Sequence, residues 1–264
     1  MKNLGVCIKG NCMKKKRNNL VLLLTLATSV TLFSTSSFAD GITVGFGAGW
    51  TDSPYKGTGS VYTPVPSIKY DNGLFYLDTF SAGVHLYNQD NQTISAGLSY
   101  LPLRFKRSDS DDHQMKQLNK RNSTMLANVN YKLTTQYGIF TTRFSADVLN
   151  ESNSMIVDAN YSYAFSSEKW RIVPAAGINW VNDKHNDYYY GISNSESARS
   201  GLAAHHAKNS LTPYVSLMGH YAITPHIGAY TGLTVHQLTG DAKNSPMVAH
   251  STVSTVFTGL NYTF

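Results

Sequence analysis

The chain has 264 residues, of which 42% are hydrophobic and 14% are charged, and it contains 22 basic residues, 16 acidic residues and two cysteines. Six of the basic residues and both cysteines lie within residues 1–39, so residues 40–264 carry 16 charges of each sign and no cysteine. A disulfide-stabilised fold is therefore excluded for residues 40–264, and the basic balance of the whole chain is no argument for a nucleic-acid partner.

The first 39 residues have the three parts of a secretory signal peptide. A basic stretch over 14–17 precedes an apolar run over 20–33, and small residues, Ser37 and Ala39, stand where signal peptidase cleaves. The apolar run has about 14 residues, whereas a membrane-spanning helix needs about 20. We predict cleavage after Ala39, translation from Met1 or Met13, and a single exported domain over 40–264.

Residues 40–264 alternate between apolar and polar side chains along almost their whole length. In the first such stretch Ile42, Val44 and Phe46 point one way, opposite Thr43 and glycines. Trp170 and Trp180 share one face with apolar residues between them, about 25 Å apart along the membrane normal for a tilted strand. Alternation with aromatic residues at both rims is typical of an all-β, closed antiparallel β-barrel that spans the outer membrane.

The number of strands depends on residues 51–81. Ten strands alternate clearly elsewhere, and this stretch contains Pro64, Pro66 and the turn sequence Asp71-Asn72-Gly73. We predict twelve strands, with this stretch forming two irregular ones; the alternative is ten strands, with this stretch folded back as a loop or plug. Short turns at 89–92, 134–137, 166–169 and 223–226 are expected at the periplasmic end, and polar loops over 106–121, 183–209 and 241–248 at the other.

The last strand ends on alternating apolar residues, Leu260, Tyr262 and Phe264. A terminal aromatic strand of this kind resembles the assembly signal that outer-membrane barrels present to the barrel-assembly machinery. We predict that these three residues serve as that signal.

No enzyme motif is present. No histidine is followed by serine two residues later, so a serine–histidine pair could arise only by spatial assembly. We predict no catalytic residue, no cofactor and no metal site; Asp109, Asp111 and Asp112 could hold a cation among lipopolysaccharide phosphates, but a solvated loop explains them as well. Arg143 and Asp147 share an inward face and are predicted to form a charge pair in the lumen, which either fills the pore or sets its selectivity.

Several blocks resemble the MltA-interacting protein family, also called MipA/OmpV. They are SPYKG (53–57), SDSDDHQ (108–114), RNSTM (121–125), DYYYGIS (187–193), ESARSG (196–201) and NSPMV (244–248). The resemblance implies a Gram-negative outer-membrane protein and a non-enzymatic scaffold that joins a lytic murein transglycosylase to a murein synthase during peptidoglycan remodelling. Its surroundings would be outer-membrane lipid and lipopolysaccharide.

Other functions remain open: a narrow channel for solute or drug uptake, an adhesin, or a lipid-modifying barrel enzyme. The candidate interaction loop contains Tyr188, Tyr189, Tyr190, Gly191, Glu196 and Arg199. The alternative for its tyrosines is an aromatic cluster at the rim that packs the loop.

Overall fold

The computed structural model describes residues 41–264. The stretches of alternating apolar and polar residues form one antiparallel sheet. The predicted signal peptide and its cleavage bond lie outside the described residues. The strands are β1 (Thr43–Thr51), β2 (Val61–Asp71), β3 (Phe75–Asp78), β4 (Ser81–Gln89), β5 (Gln92–Leu101), β6 (Thr124–Thr135), β7 (Gly138–Asp147), β8 (Met155–Ser162), β9 (Phe165–Ser166), β10 (Trp170–Val181), β11 (Ser210–Ala222), β12 (Ile227–Gln237) and β13 (Thr252–Thr263).

The sheet closes on itself, because β13 pairs with β1 over nine residue pairs, from Thr43↔Thr263 to Thr51↔Thr255. Segments β8 and β9 both pair with β10 and form one interrupted strand, so the thirteen segments make twelve barrel strands. The prediction of a closed, twelve-stranded antiparallel barrel is confirmed. Closure matters in a membrane, since lipid offers no hydrogen bonds to the open edge of a sheet.

The two faces of the wall have opposite character. Phe46, Trp170 and Leu260 point outward with 65%, 42% and 55% of their surface exposed. Polar residues such as Asn179 and Thr212 point inward and are buried. The lumen is crowded: a Cβ atom on the inward-facing Gly97 would overlap the carbonyl oxygen of Ala82 and the hydroxyl of Tyr76. Glycine is therefore required at that point of the wall.

The connections differ in length at the two ends. The structure places the four predicted short turns at the same end as Phe264, and a further turn between β2 and β3 joins them. The longer connections over 52–60, 102–123, 148–154, 182–209 and 238–251 gather at the opposite end. By the usual asymmetry of bacterial outer-membrane barrels, the short-turn end is periplasmic and the long-loop end is extracellular.

The long connections fold together into a cap with its own hydrophobic core. The largest fully buried side chains of this core are Tyr55, Phe105, Met115, Leu118, Tyr189, Ile192 and Met247. The cap contains the helices α1 (Asp183–Tyr190), α2 (Asn194–Ser200) and α3 (Gly240–Lys243), with 3-10 turns at Arg107–Asp109 and Met115–Gln117. Within residues 41–264, none of these helices has the length and apolar character needed to cross a bilayer.

The predicted polar connection over 183–209 lies at the expected end, but it contains two helices that the prediction of a loop missed, because this stretch has helix-capping residues. The side chain of Asn182 accepts a hydrogen bond from the His185 amide at the start of α1. Ser193 and Glu196 form a capping box at the start of α2, and Gly201 ends that helix with a left-handed φ of 75°.

Residues 51–81 form strands of very unequal length. Strand β2 has 11 residues and pairs with β1 through residues 61–69, whereas β3 has only four residues. The ladder between β2 and β3 consequently has three residue pairs, ending at Lys69↔Asp78. Both predicted irregular strands are present, and the barrel wall is incomplete above the shorter one.

Candidate functional site

The candidate interaction loop lies inside the cap. Tyr189 and Tyr190 are 0% and 5% exposed. The Tyr189 hydroxyl donates to the Asn122 carbonyl at 3.0 Å, and the Tyr55 hydroxyl donates to the Tyr189 carbonyl at 3.2 Å. Buried in this way, Tyr189 and Tyr190 hold the cap together, as the alternative of an aromatic packing cluster predicted.

Tyr188 is half-buried and links two connections of the cap. Its hydroxyl donates to Glu151 Oε1 at 2.6 Å and accepts from the Asn122 amide at 2.8 Å. Burial and the bond to the carboxylate raise the pKa of Tyr188 to about 12. The bonds from Tyr188 and Asn122 lower the pKa of Glu151, so this carboxylate is ionised at neutral pH.

Arg121 and Glu196 form a buried ion pair, with Arg121 Nη2 at 3.0 Å from Glu196 Oε1. The Arg121 side chain is 7% exposed and the Glu196 side chain is 4% exposed. The guanidinium also donates to the carbonyls of Asn119 and Gly191. Burial by itself raises the pKa of Glu196, but bonds from the Asn119 and Ser193 amides outweigh it and lower the pKa on balance. Because Glu196 lies in α2 and Arg121 lies in the connection between β5 and β6, the ion pair ties these two segments together.

Gly191 and Arg199 complete the predicted loop. Gly191 ends α1, and its amide donates to the Asp187 carbonyl at 2.8 Å. Arg199 is exposed on α2 and donates to the Gln117 carbonyl at 2.6 Å and to Asn119 Oδ1 at 3.0 Å. Arg199 thereby ties α2 to the connection between β5 and β6. The role of the loop in partner binding stays a prediction.

A chain of hydrogen bonds joins His185 to Asp147. His185 Nδ1 lies 2.8 Å from the Ser154 hydroxyl, which lies 2.6 Å from the Ser152 hydroxyl, and Ser152 donates to Asp147 Oδ2 at 3.1 Å. Burial lowers the pKa of His185 to about 4, so its imidazole is neutral at pH 7. The histidine borders a cavity beneath the cap that is also lined by Tyr55, Leu103, Asn186, Tyr190 and His236.

Ser154 and His185 are 31 residues apart, so no spacing in the sequence pointed to this pair. A hydroxyl bonded to an imidazole is the basic element of nucleophilic catalysis. Here the Ser154 hydroxyl is also bonded to Ser152, and Ser154 is 1% exposed. The geometry favours a structural link between the connection over 148–154 and α1.

The predicted pair of Arg143 and Asp147 is wrong. Two residues four apart on one strand are about 13 Å apart, which is too far for an ion pair. Asp147 accepts bonds from Thr124, from the Ser152 hydroxyl and from amides of the turn that follows it. The acidic residue opposite Arg143 is its cross-strand partner Asp158, and Arg143 Nε donates to Asn130 Oδ1.

Asp158 extends this lumenal network past β10 to β11. It accepts from the Tyr214 hydroxyl at 2.8 Å, and that hydroxyl accepts from Asn160 Nδ2 at 3.0 Å. The network lies about midway along β7, β8 and β11, beneath the cap. Polar side chains thus occupy part of the lumen, as the crowded interior of a small barrel requires.

The last strand presents its alternating apolar residues outward. Leu260, Tyr262 and Phe264 are 55%, 42% and 72% exposed, and the rings of Tyr262 and Phe264 lie 4.9 Å apart. The Phe264 amide donates to the Ile42 carbonyl at 3.1 Å, which places the final residue at the seam of the barrel. Their role as an assembly signal stays a prediction.

Within the acidic stretch at 109–112, the Asp112 carboxylate forms hydrogen bonds inside its own connection. Asp112 Oδ1 accepts from the amides of Gln114 and Met115 at 2.8 and 2.9 Å, which caps a 3-10 turn. Across residues 41–264, no three His, Cys, Asp or Glu side chains come together in a way that could hold a metal ion.

The apolar exterior, polar lumen, short turns and closed ladder define a transmembrane β-barrel of the outer-membrane class. The model of the family described as MltA-interacting protein MipA matches residues 44–264, and the chain belongs to this family. The resemblance noted in the sequence is thereby confirmed.

Named relatives agree with this assignment. The MltA-interacting protein of Escherichia coli K12 is 33% identical over 243 residues, covering 92% of this chain and 98% of that protein. The putative outer membrane protein YiaT of the same organism is 32% identical over 93% of this chain and 98% of its own length. Outer membrane protein OmpV of Vibrio cholerae is 24% identical over 54% of this chain and 56% of its own length. The chain is an outer-membrane protein.

Proposed function

We propose that this protein is a non-enzymatic scaffold that binds a lytic murein transglycosylase at the periplasmic end of the barrel. The observation that carries the proposal is the 33% identity to the MltA-interacting protein over 98% of that protein's length. A similarity of this extent includes the short turns at the periplasmic rim as well as the cap.

The shape of the barrel limits where such a partner can bind. The transglycosylase would approach from the periplasm, whereas the cap lies at the opposite end. The short turns therefore supply the contact, and they carry exposed side chains such as Tyr137 and Ile223, which are 71% and 52% exposed. Exposed tyrosine and aliphatic side chains are typical anchors of protein interfaces. Glu168 and Lys169 add charge beside them.

The test is a binding measurement with the purified barrel in lipid nanodiscs and the lytic transglycosylase of the same cell. Tyr137→Ala should weaken binding by about tenfold or more, as expected for an interface anchor. Exchange of the two rim charges, by Glu168→Lys with Lys169→Glu, should slow association. Arg107→Glu is the matched control, because Arg107 is exposed on the cap and should leave binding unchanged.

Binding of the transglycosylase no stronger than to an unrelated barrel would contradict the proposal. A loss caused by Arg107→Glu but not by Tyr137→Ala would instead place the contact on the cap. Adding the murein synthase tests the second half of the scaffold hypothesis, since a scaffold should hold both enzymes in one complex. Single-channel recording in planar bilayers separates the scaffold from a channel: the packed cap predicts no steady conductance steps.

A further inference from the structure

Long cationic side chains point into the lumen near its periplasmic end. They are Lys69 on β2, Lys132 on β6 and Arg171 on β10, and each residue is half-buried. Residues of the same parity on these strands, such as Thr63 and Val173, are buried, whereas the alternating residues face lipid. Each cation is among the four residues of its strand that lie closest to the short turns. The three side chains therefore share one level of the lumen.

These cations converge from different sides of the barrel. Counted around the twelve strands, β2, β6 and β10 are the second, sixth and ninth, so the side chains enter the lumen from well-separated directions. The Lys69 ammonium group is repelled by the charges of both Lys132 and Arg171, which requires the three charged groups to lie close together. The space between them is narrow, because the Tyr230 side chain also lies inside the wall, with its hydroxyl against Gly259.

Two carboxylates share this level with the cations, and both lie on the same side of the lumen. Asp78 is the cross-strand partner of Lys69, and Asp71 ends β2 two residues further on. His85 also contacts Asp71, since its Nε2 lies 3.2 Å from each carboxylate oxygen. Lys132 is attracted by Asp71 from across the lumen. Three cations thus share two carboxylates, which leaves the cluster with one positive charge in excess.

The opposite side of the lumen has no acid at this level. Among the described residues of strands β6 to β13, the only acids are Asp147 and Asp158, and both lie closer to the cap. In the turn below β10, Glu168 and Lys169 carry opposite charges, and Asp90 is exposed in the turn between β4 and β5. The excess positive charge of the cluster therefore lies toward β6 and β10.

The cluster is open to the periplasm. The Asp71 side chain points into the barrel and is nevertheless 44% exposed, so solvent reaches this level from the short-turn end. Toward the cap the next charged groups are those of the lumenal network around Arg143 and Asp158. An ionic contact in such a partly shielded space is stronger than one on an open surface, because the effective dielectric constant is lower than that of water.

We propose that this cluster binds the carboxylate group of a small organic monocarboxylate that enters the lumen from the periplasm. The carboxylate lies between Lys132 and Arg171, on the side opposite the two resident acids. The guanidinium can bind both oxygens of a carboxylate, and the ammonium group adds a further donor. One added negative charge balances the cluster, whereas a dianion such as a phosphate monoester would overcompensate it. This inference does not rest on the proposed binding of a murein enzyme.

The experiment measures binding of acetyltriglycine, which carries one carboxylate and no amine, to the purified barrel in phosphatidylcholine nanodiscs. The terminal carbonyl carbon is isotope-labelled, and its NMR signal is followed in a titration. Acetyltriglycinamide, which has the same backbone without the charge, is the comparison. We expect the acid to bind at least about tenfold more tightly than the amide, and its affinity to fall as the salt concentration rises.

Substitutions of opposite charge sign make the test specific. Lys132→Gln and Arg171→Gln should each weaken binding of the acid by about tenfold. Asp78→Asn should strengthen it, because this change removes a resident carboxylate that competes for the same cations; a purely structural role for Asp78 predicts no such gain. Lys184→Gln is the matched control, since it removes an exposed cation of the cap and should leave the affinity unchanged.

Equal affinity for the acid and the amide would overturn the proposal, as would weaker binding of the acid by a folded Asp78→Asn barrel. An equal loss in Lys184→Gln and Lys132→Gln would also contradict it, because the effect would then come from the overall charge of the protein. If a substituted barrel does not fold, the comparison of the acid with the amide on the unaltered protein decides alone. No murein enzyme is present, so failure here leaves the proposed function untouched.

Discussion

Replacing Glu196 by Gln tests whether the buried ion pair holds the cap closed. Glutamine preserves the shape of the side chain and can still form the capping box of α2. It removes the negative charge, so the Arg121 guanidinium is left buried, with its side chain only 7% exposed, and without a counter-charge. Breaking a buried pair by removing one partner costs about 3–5 kcal/mol. The cap should lose stability by that amount.

The loss should be local. The barrel wall is held by its own closed ladder, so cap opening does not require the strands to separate. Hydrogen–deuterium exchange should show protection of amides in α1 and α2 falling by about two to four orders of magnitude. Protection of the β1–β13 seam should stay unchanged.

Two comparisons make the measurement decisive. Arg199→Gln removes an exposed cation from the same helix and should cost less than about 1 kcal/mol. The double variant Glu196→Gln with Arg121→Met removes both charges, and it should be more stable than Glu196→Gln alone because no unpaired charge remains buried. Equal exchange in Glu196→Gln and Arg199→Gln, or simple additivity in the double variant, would refute the reasoning.

Three further predictions concern other parts of the molecule. Burial lowers the pKa of His185 to about 4 from an ordinary 6.5, so the contribution of this histidine to cap stability should be full above pH 6.5 and decline by about 3 kcal/mol as the pH falls to 4. Hydrogen exchange of α1 amides across this range should show the decline, and His185→Gln should remove it. Gly97→Ala places a methyl group against the Ala82 carbonyl and should lower the free energy of unfolding by about 1–3 kcal/mol. Gly219→Ala, whose new methyl group would have its nearest contact 3.4 Å away, should lower it by less. Equal melting temperatures of the two variants in thermal unfolding would contradict this. Phe264→Ser should reduce the amount of folded barrel recovered from outer membranes, but it should not reduce refolding of the purified chain in lipid vesicles. The control is Phe46→Ser, which alters another exposed outward phenylalanine. Equal yields of the two variants from cells would argue against an assembly signal.

The strands could be predicted from sequence because their two faces meet different media. Alternation at Trp170, Ile172 and Ile178 reports directly that one face contacts hydrocarbon, and the structure shows that face outward. The same signal predicted the short turns and ten of the twelve strands, whereas the two strands within residues 51–81 show little alternation. A local pattern was sufficient here because the environment of each residue repeats with the strand period of two.

The contacts of the cap could be predicted only in part. The spacing of Ser193 and Glu196 with Gly201 after them is a helix signal that would have identified α2. The partner of Arg143 could not be found in this way, since it depends on the register between β7 and β8. The same limit applies to Arg121, Glu151 and the Ser154–His185 link, whose partners come from distant connections and follow no spacing along the chain.

The pairing of the first strand with the last has a consequence for how the protein is made. The β1 ladder needs residues 255–263, so the ring cannot form until this last strand has been synthesised. Chain synthesis and folding are therefore separate events for this protein, and a truncated product would keep two unpaired strand borders. Such borders invite aggregation and proteolysis. Closure of the barrel therefore depends on the strand that is made last of the thirteen.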